Sequence, residues 1–280
     1  MSVLYELSDL LYLMRRLRDR DGGCPWDIEQ NFESIAPHTL EEAYEVVDCI
    51  ERGDFDHLRE ELGDLLFQVV YHSQMASEEN RFTFGDVVET LVAKLIARHP
   101  HVFPSGDLFA TNDLPAESQV DVPAHTADST WVRGRWEERK AEERARKKGD
   151  SSALADIPTA LPGLSRLQKL QKRANRAGFP SRGAAAVLRN IALTAEQLSQ
   201  TLSAGDMVAE EQIGELLFDC ADFARLVSTD AERAARRSGR EFERLFRALE
   251  ATLQARGESL ETLSLEQKER YWSQLKQPLE

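Results

Sequence analysis

A short hydrophobic motif occurs twice in this chain, and it constrains the fold more than any other feature of the sequence. Residues 62–67 read LGDLLF, and residues 213–218 read IGELLF. A second match follows each copy, because Trp136-x-x-x-Lys140 returns as Trp272-x-x-x-Lys276. Self-similarity of this kind indicates that a structural unit is duplicated. The chain has 280 residues, enough for two such units, so we expect two related domains in tandem.

Helical periodicity dominates nearly every long segment of the chain. The first segment carries an apolar stripe that is formed by Leu4, Leu7, Leu11, Met14 and Leu17. Apolar residues that recur every three to four positions predict an amphipathic helix. The alternation that is typical of β-strands is weak throughout. We therefore predict an all-α protein that is built from tandem helical bundles.

Changes in composition mark the expected domain boundaries. Residues 105–130 are rich in small, polar and turn-forming residues, which predicts a mobile loop. Prolines at both ends of a short stretch near residue 160 indicate a linker. We expect an N-terminal domain over residues 1–149, a linker over residues 150–165 and a C-terminal domain over residues 166–280.

Four acidic side chains in two matched pairs are the strongest functional signal. Glu42 and Glu45 are three residues apart, and so are Glu61 and Asp64. Residues with this spacing share one face of a helix. Two like charges about 5 Å apart repel by about 3 kcal/mol at an effective dielectric constant of about 20. Two facing helices would therefore offer oxygen ligands to a hard cation such as Mg²⁺, which would supply the counter-charge.

Structural alternatives exist for these acids. Thr39-x-x-Glu42 also fits a capping box, which would give Glu42 a purely structural role. Asp64 could be an ordinary surface acid if its helix is less buried than its composition indicates. A di-iron carboxylate site is disfavoured, because such sites use Glu-x-x-His repeats and here the partners at the third position are Glu45 and Asp64.

Charge and cysteine content exclude several classes of protein. The formal net charge of −14 argues against direct binding of nucleic acid, which requires a basic surface. Three scattered cysteines are too few for a disulfide framework or a zinc site. The first segment is charged and amphipathic, unlike a signal peptide or a membrane span. We therefore expect a cytoplasmic protein that does not contact membranes.

An ordered set of motifs resembles the MazG family of nucleoside triphosphate pyrophosphohydrolases. The resemblance runs over the whole chain and is weaker in the second half. Its pieces are CPWD at residues 24–27, EE-x-x-E at 41–45, ELGDLLF at 61–67, HPHVF at 99–103 and WE-x-x-K at 136–140. It implies an all-α homodimer that requires Mg²⁺. It also implies hydrolysis of ribo- and deoxyribonucleoside triphosphates to monophosphate and pyrophosphate with broad tolerance of the base, in nucleotide-pool housekeeping or a stress response.

The resemblance also assigns roles to individual residues. Glu42, Glu45, Glu61 and Asp64 match the family's metal ligands. Lys94 and Arg98 match its phosphate-binding pair, and Trp136 and Lys140 match residues that close over the nucleotide.

The general base is not decided by the sequence. Either Glu41 or Glu45 could accept the proton of the attacking water. On the residues alone, Lys94 and Arg98 fit solvated cations near a helix C-terminus, and Trp136 fits a core anchor.

The C-terminal copy departs from the family pattern. Gln212 stands where the first copy has Glu61, and Glu215 stands where it has Asp64. Glu241 and Leu245 occupy the positions that correspond to the basic pair. We therefore expect the C-terminal copy to be inactive or nearly so. Degeneration of a whole copy also leaves a second hypothesis, a non-catalytic nucleotide sensor or helical regulatory module.

Overall fold

The chain forms two compact helical units, residues Met1–Lys140 and Ala141–Glu280. The computed structural model describes residues 4–110, 139, 152–205 and 207–276. Helices are the only regular elements in these ranges, which confirms the expected all-α class. The domain boundaries and the linker that composition indicated stay a prediction.

The first unit is arranged around one long helix. The helices described in it are α1 (Leu7–Leu17), α2 (Pro25–Glu29), α3 (Phe32–Arg52), α4 (Phe55–Glu78) and α5 (Phe84–Arg98). Helix α4 packs against α1, α3 and α5, and its longest contact is with α3. The two helices that carry the acidic pairs are therefore direct neighbours.

Local sequence signals fix the ends of α3. The Asn31 side chain accepts hydrogen bonds from the backbone N–H groups of Glu33 and Ser34, and the Ser34 hydroxyl accepts one from the Asn31 N–H. This is a reciprocal capping box. Gly53 ends the helix in the left-handed region with φ of 72°, a conformation that glycine adopts without steric cost. Thr39 lies inside α3, so a capping box between Thr39 and Glu42 does not form.

A small core holds α1, α3 and α4 together, and hydrogen bonds attach α2 to it. Met14, Val70 and Tyr71 are almost fully buried in it. The Arg18 guanidinium donates to the backbone carbonyls of Asp27 and Gln30 and pairs with Glu78 at 2.8 Å. The Tyr71 hydroxyl donates to the same Asp27 carbonyl at 3.0 Å. These bonds fix the short CPWD helix against the long α4.

The second unit repeats the helical organisation. Its helices are α6 (Gly163–Arg176), α7 (Ala184–Ser203), α8 (Glu210–Leu226), α9 (Ala231–Ala255) and α10 (Leu265–Lys276). Helix α8 carries the second copy of the repeated motif and packs against α6 and α7. Helix α9 packs against α6, α8 and α10, and Leu249, Leu253 and Tyr271 form a core between α9 and α10.

Helix α4 leaves a long apolar face uncovered. Leu62, Leu66 and Val69 are 50%, 41% and 39% exposed, although the composition of this helix predicts burial nearly all round. Spacings of four and three residues place these side chains on one stripe. Leu91 and Leu95 on α5 are also exposed. Among the described residues, no helix is both long and apolar enough to cross a membrane.

Candidate active site

Three of the four predicted metal ligands converge between α3 and α4. Glu42, Glu45 and Glu61 each offer a carboxylate oxygen, and these three oxygens lie within 4.8 Å of one another. The turn at Gly53 and Asp54 folds α4 back along α3, so acids that are separated by 16 to 19 positions in sequence come together. The helical spacing within each pair could be predicted from the sequence. The convergence of Glu61 with Glu42 and Glu45 is the structural finding.

The fourth acid, Asp64, lies outside this group of three oxygens, but its charge acts on it. Partial burial raises the pKa of Glu42, and a hydrogen bond with Glu45 and the charges of Asp64, Glu45 and Glu61 raise it further. Burial also raises the pKa of Glu61, with contributions from the Glu45 and Asp64 charges. Both shifts show that ionisation at this place meets repulsion from neighbouring carboxylates.

No basic side chain neutralises the cluster within the described ranges. None of Glu42, Glu45, Glu61 and Asp64 forms an ion pair with another described residue. Carboxylate oxygens without nitrogen or sulfur ligands suit a hard divalent cation. Partly exposed acids that face one another in this way can hold Mg²⁺ and, through it, a phosphate chain.

The two candidates for the general base occupy different environments. Glu45 belongs to the convergent cluster. The Glu41 side chain is 63% exposed and lies 3.4 Å from the Nδ1 atom of His38, one turn earlier on α3. Glu41 is therefore turned toward solvent and a neighbouring ring, whereas Glu45 already faces the other acids.

The other predicted substrate-binding residues are only partly described. Lys94 and Arg98 lie one turn apart at the C-terminal end of α5, which packs against α4. Lys94 is exposed and Arg98 is half-buried. Trp136 and Lys140 fall outside the described residues.

A buried polar group next to the acids did not emerge as a candidate from the sequence. Gln68 follows Asp64 by one turn of α4 and is only 6% exposed, and its Oε1 atom accepts no hydrogen bond from the described residues. One turn further, the Nε2 atom of His72 lies 2.9 Å from the Thr39 hydroxyl, and burial lowers the pKa of His72. The polar stripe of α4 thus continues beyond the acids. The four-residue spacing of Asp64, Gln68 and His72 is the sequence signal that could have identified these polar groups.

The second unit has no comparable cluster among its described residues. Gln212 and Glu215 lie on α8, and Glu196 lies on α7, where it is exposed. Glu241 pairs with Arg244 at 2.7 Å on α9, so an acid with its own cation stands at the position that corresponds to Lys94.

Comparison with known proteins gives a consistent family assignment. Residues 30–103, which contain all four predicted metal ligands, match the model of the MazG nucleotide pyrophosphohydrolase domain. The chain is 43% identical to a nucleoside triphosphate pyrophosphohydrolase of Escherichia coli (strain K12) over 97% of each chain. It is 34% identical to the nucleoside triphosphate pyrophosphohydrolase/pyrophosphatase MazG of Thermotoga maritima, over 98% of this chain and 96% of that protein.

A more distant relative shows how far the likeness extends. The chain is 33% identical to a nucleoside triphosphate pyrophosphohydrolase of Mycobacterium tuberculosis, over 86% of this chain and 63% of that protein. The likeness to full-length relatives spans both helical units, and the family model falls on the helices that bring the acids together. This chain therefore belongs to the MazG family of nucleotide pyrophosphohydrolases, as its motifs predicted.

Proposed function

We propose that the first unit hydrolyses ribo- and deoxyribonucleoside triphosphates to the monophosphate and pyrophosphate in a reaction that requires Mg²⁺. The convergence of the Glu42, Glu45 and Glu61 oxygens within 4.8 Å carries this proposal. The relatives named as nucleoside triphosphate pyrophosphohydrolases support the same reaction for this chain. Water adds to phosphorus, and the anhydride bond between the α- and β-phosphates breaks.

In this proposal, different residues bind the metal, bind the phosphate chain and accept a proton. Glu42, Glu45, Glu61 and Asp64 would hold Mg²⁺, which when bound supplies charge neutralisation for the triphosphate and activates water. Lys94 and Arg98 bind the phosphate chain and orient it for in-line attack. Glu45, which already faces the cluster, is favoured over Glu41 as the group that accepts the proton of the attacking water.

Recognition of the nucleoside is expected to be permissive. Trp136 offers a flat surface on which any base can stack, and Lys140 adds a charge beside the phosphates. Both roles follow from the family motif at residues 136–140. Broad tolerance of this kind suits housekeeping of the cytoplasmic nucleotide pool or a response to stress.

We further propose that the protein is a homodimer. The exposed stripe of Leu62, Leu66 and Val69 on α4 supports this, because it runs beside the acid cluster and remains uncovered within the described unit. Contiguous exposed apolar surface commonly marks a protein–protein contact.

Incubation of the full chain with each common ribo- and deoxyribonucleoside triphosphate tests the function. We expect monophosphate and pyrophosphate in the presence of Mg²⁺ and no turnover in the presence of EDTA. Release of diphosphate and orthophosphate would contradict the proposed reaction.

The alternative function is a nucleotide sensor that binds without turnover. The absence of an acid cluster from the described part of the second unit favours a regulatory role for that unit. Tight binding of a triphosphate with no product in the same incubation would identify the sensor.

A further inference from the structure

A large cavity lies in the second unit, where the acid cluster of the first unit has no counterpart among the described residues. Its volume is about 800 Å³, within the range of about 300–1,000 Å³ that small-molecule sites occupy. It is formed by α6, α8 and the segment between α6 and α7. The residues that the argument uses are Gln171, Asn175, Phe179, Arg182, Glu215, Phe218, Asp219 and Asp222.

The ionisable residues that line this cavity are mainly acidic. Asp219 and Asp222 are 5% and 6% exposed. The Arg182 guanidinium contacts Asp219 and lies 3.6 Å from Asp222, and Arg225 binds Asp222 with two hydrogen bonds of 3.0 and 2.7 Å. Glu215 adds a third carboxylate to the lining.

The net negative charge of these residues disfavours the binding of phosphates in the cavity. Among the described residues that line the cavity, Arg182 is the only cation, against three carboxylates. Even with Arg225 counted, the group carries one uncompensated negative charge. An anionic ligand would be repelled, and a cation would be attracted.

Two amide side chains add buried oxygen atoms that accept no hydrogen bond within the described part of the chain. Gln171 and Asn175 lie one turn apart on α6. Their amide nitrogens donate to the backbone carbonyls of Phe218 at 2.8 Å and Phe179 at 3.1 Å. These bonds fix the orientation of each amide, and neither amide oxygen accepts a hydrogen bond from the described residues. A buried acceptor in this state needs a donor, which a ligand with N–H groups can supply.

The same two phenylalanines supply apolar surface. Phe179 is 68% exposed and Phe218 is 41% exposed. Aromatic faces attract organic cations as well as apolar groups. Negative charge, unpaired acceptors and exposed rings therefore coincide in one cavity.

We propose that this cavity binds a small organic cation, an amidinium or ammonium group on a flat apolar body. The carboxylates attract the cation, the amide oxygens accept from its N–H groups, and the phenylalanine rings contact its body. This site needs neither magnesium nor the acids of the first unit, so it is independent of the proposed hydrolysis.

Calorimetric titration of the full chain with benzamidine tests the proposal. Benzamide has nearly the same shape without the charge, and benzoate carries the opposite charge. We expect benzamidine to bind at least about tenfold more tightly than benzamide, and benzoate to give no heat, as expected when attraction of the charge selects the ligand. Equal affinities for benzamidine and benzamide, or no binding of benzamidine at millimolar concentration, would overturn the proposal.

Two exposed lining residues locate the binding without disturbing the core. Phe179→Ala and Glu215→Gln should each weaken benzamidine binding by about threefold or more, as expected for loss of a partly exposed contact. Glu211→Gln, an exposed acid on the same helix outside the lining, should leave the affinity unchanged.

A further variant separates the cavity from the acid cluster of the first unit. Glu42→Gln should leave benzamidine binding unchanged, because that cluster lies in the other unit. Loss of binding in Glu42→Gln with no effect of Phe179→Ala would place the cation at the first unit and refute the proposed site.

Discussion

Glu42 lies beside three other carboxylates, those of Glu45, Glu61 and Asp64. It is partly buried, it shares a hydrogen bond with Glu45, and it responds to the charges of Glu61 and Asp64. Protonation or a bound cation is needed to relieve the repulsion between these carboxylates. Such a carboxylate does not stabilise the fold, and its position therefore indicates a role in binding. The residue that the sequence left open to a capping role is thus placed at the centre of the candidate site.

Removal of one acid should lower the rate of hydrolysis when the acid lies in the first unit, and should change it little when the acid lies in the second. Glu42→Gln and Asp64→Asn keep the side-chain shape but remove a charge, and we expect hydrolysis to fall by at least about 100-fold. Glu215→Gln, at the position in the second unit that corresponds to Asp64, should change the rate little. Pyrophosphate release measures both effects, and circular dichroism checks the fold. Full activity of Asp64→Asn would remove Asp64 from the site.

Glu78 should give part of the stability of the first unit a defined pH dependence. Burial acts to raise the pKa of Glu78, but hydrogen bonds from Arg18 and Gln74 and the Arg18 charge outweigh it, so the pKa is lowered from 4.5. The ionised carboxylate therefore stabilises the fold above that ordinary value, and its contribution disappears as the pH falls through the lowered pKa.

Urea unfolding of Glu78→Gln at several pH values tests this contribution. Because the side chain is 36% exposed, we expect a loss of only about 1 kcal/mol at pH 7, and a difference from the unmodified protein that shrinks as the pH falls below 4.5. Glu79→Gln, at the exposed end of the same helix, should show little change at any pH. A difference that grew on acidification would contradict the assignment.

At the scale of single elements, the sequence predicted the existence of the helices better than their ends. The spacing of Glu42 and Glu45 predicts a helix around the first acidic pair but does not show that α3 begins as early as Phe32. Pro37 is the sixth residue of α3, where it removes one internal hydrogen bond, and the helix continues through it. The true cap, Asn31 with Ser34, is a weaker sequence signal than Thr39 followed by Glu42.

The reversal between α3 and α4 depends on one glycine. Gly53→Ala would place a side chain in the left-handed region, and we expect the free energy of unfolding to fall by about 1 kcal/mol. No atom lies within 4 Å of a Cβ added there, so backbone strain alone accounts for the loss. Gly63→Ala, within α4 and also in open space, should instead raise stability by about 0.5–1 kcal/mol. Denaturant unfolding of both variants measures the contrast.

At the scale of the whole molecule, the duplication and the helical class could be predicted, whereas the fate of the second copy could not. Loss of the acid pattern was visible at Gln212. The group of Arg182, Asp219 and Asp222 was not, because its contacts join residues 37 positions or more apart in sequence. Contacts of that range depend on how α8 packs in the second unit, which local spacing does not specify.

The uncovered stripe of α4 predicts the oligomeric state. Leu62→Gln combined with Leu66→Gln removes apolar surface without adding charge beside the acids, and we expect it to weaken or abolish the dimer. Light scattering after size exclusion should give twice 31.7 kDa for the unmodified chain and a lower mass for the variant. Phe82→Gln, an exposed aromatic residue between α4 and α5, serves as the control. A monomer for the unmodified chain would refute the dimer.

The guanidinium groups of Arg182 and Arg225 supply positive charge beside the buried acids of the second unit. They pair with Asp219 and Asp222, so we expect the melting of the second unit to be indifferent to chelators. The proposed metal ligands of the first unit form no ion pair with another described residue, so we expect its melting temperature to rise with the concentration of free divalent metal. Within one polypeptide, the melting temperature of the first unit should then depend on the magnesium concentration, and that of the second unit should not.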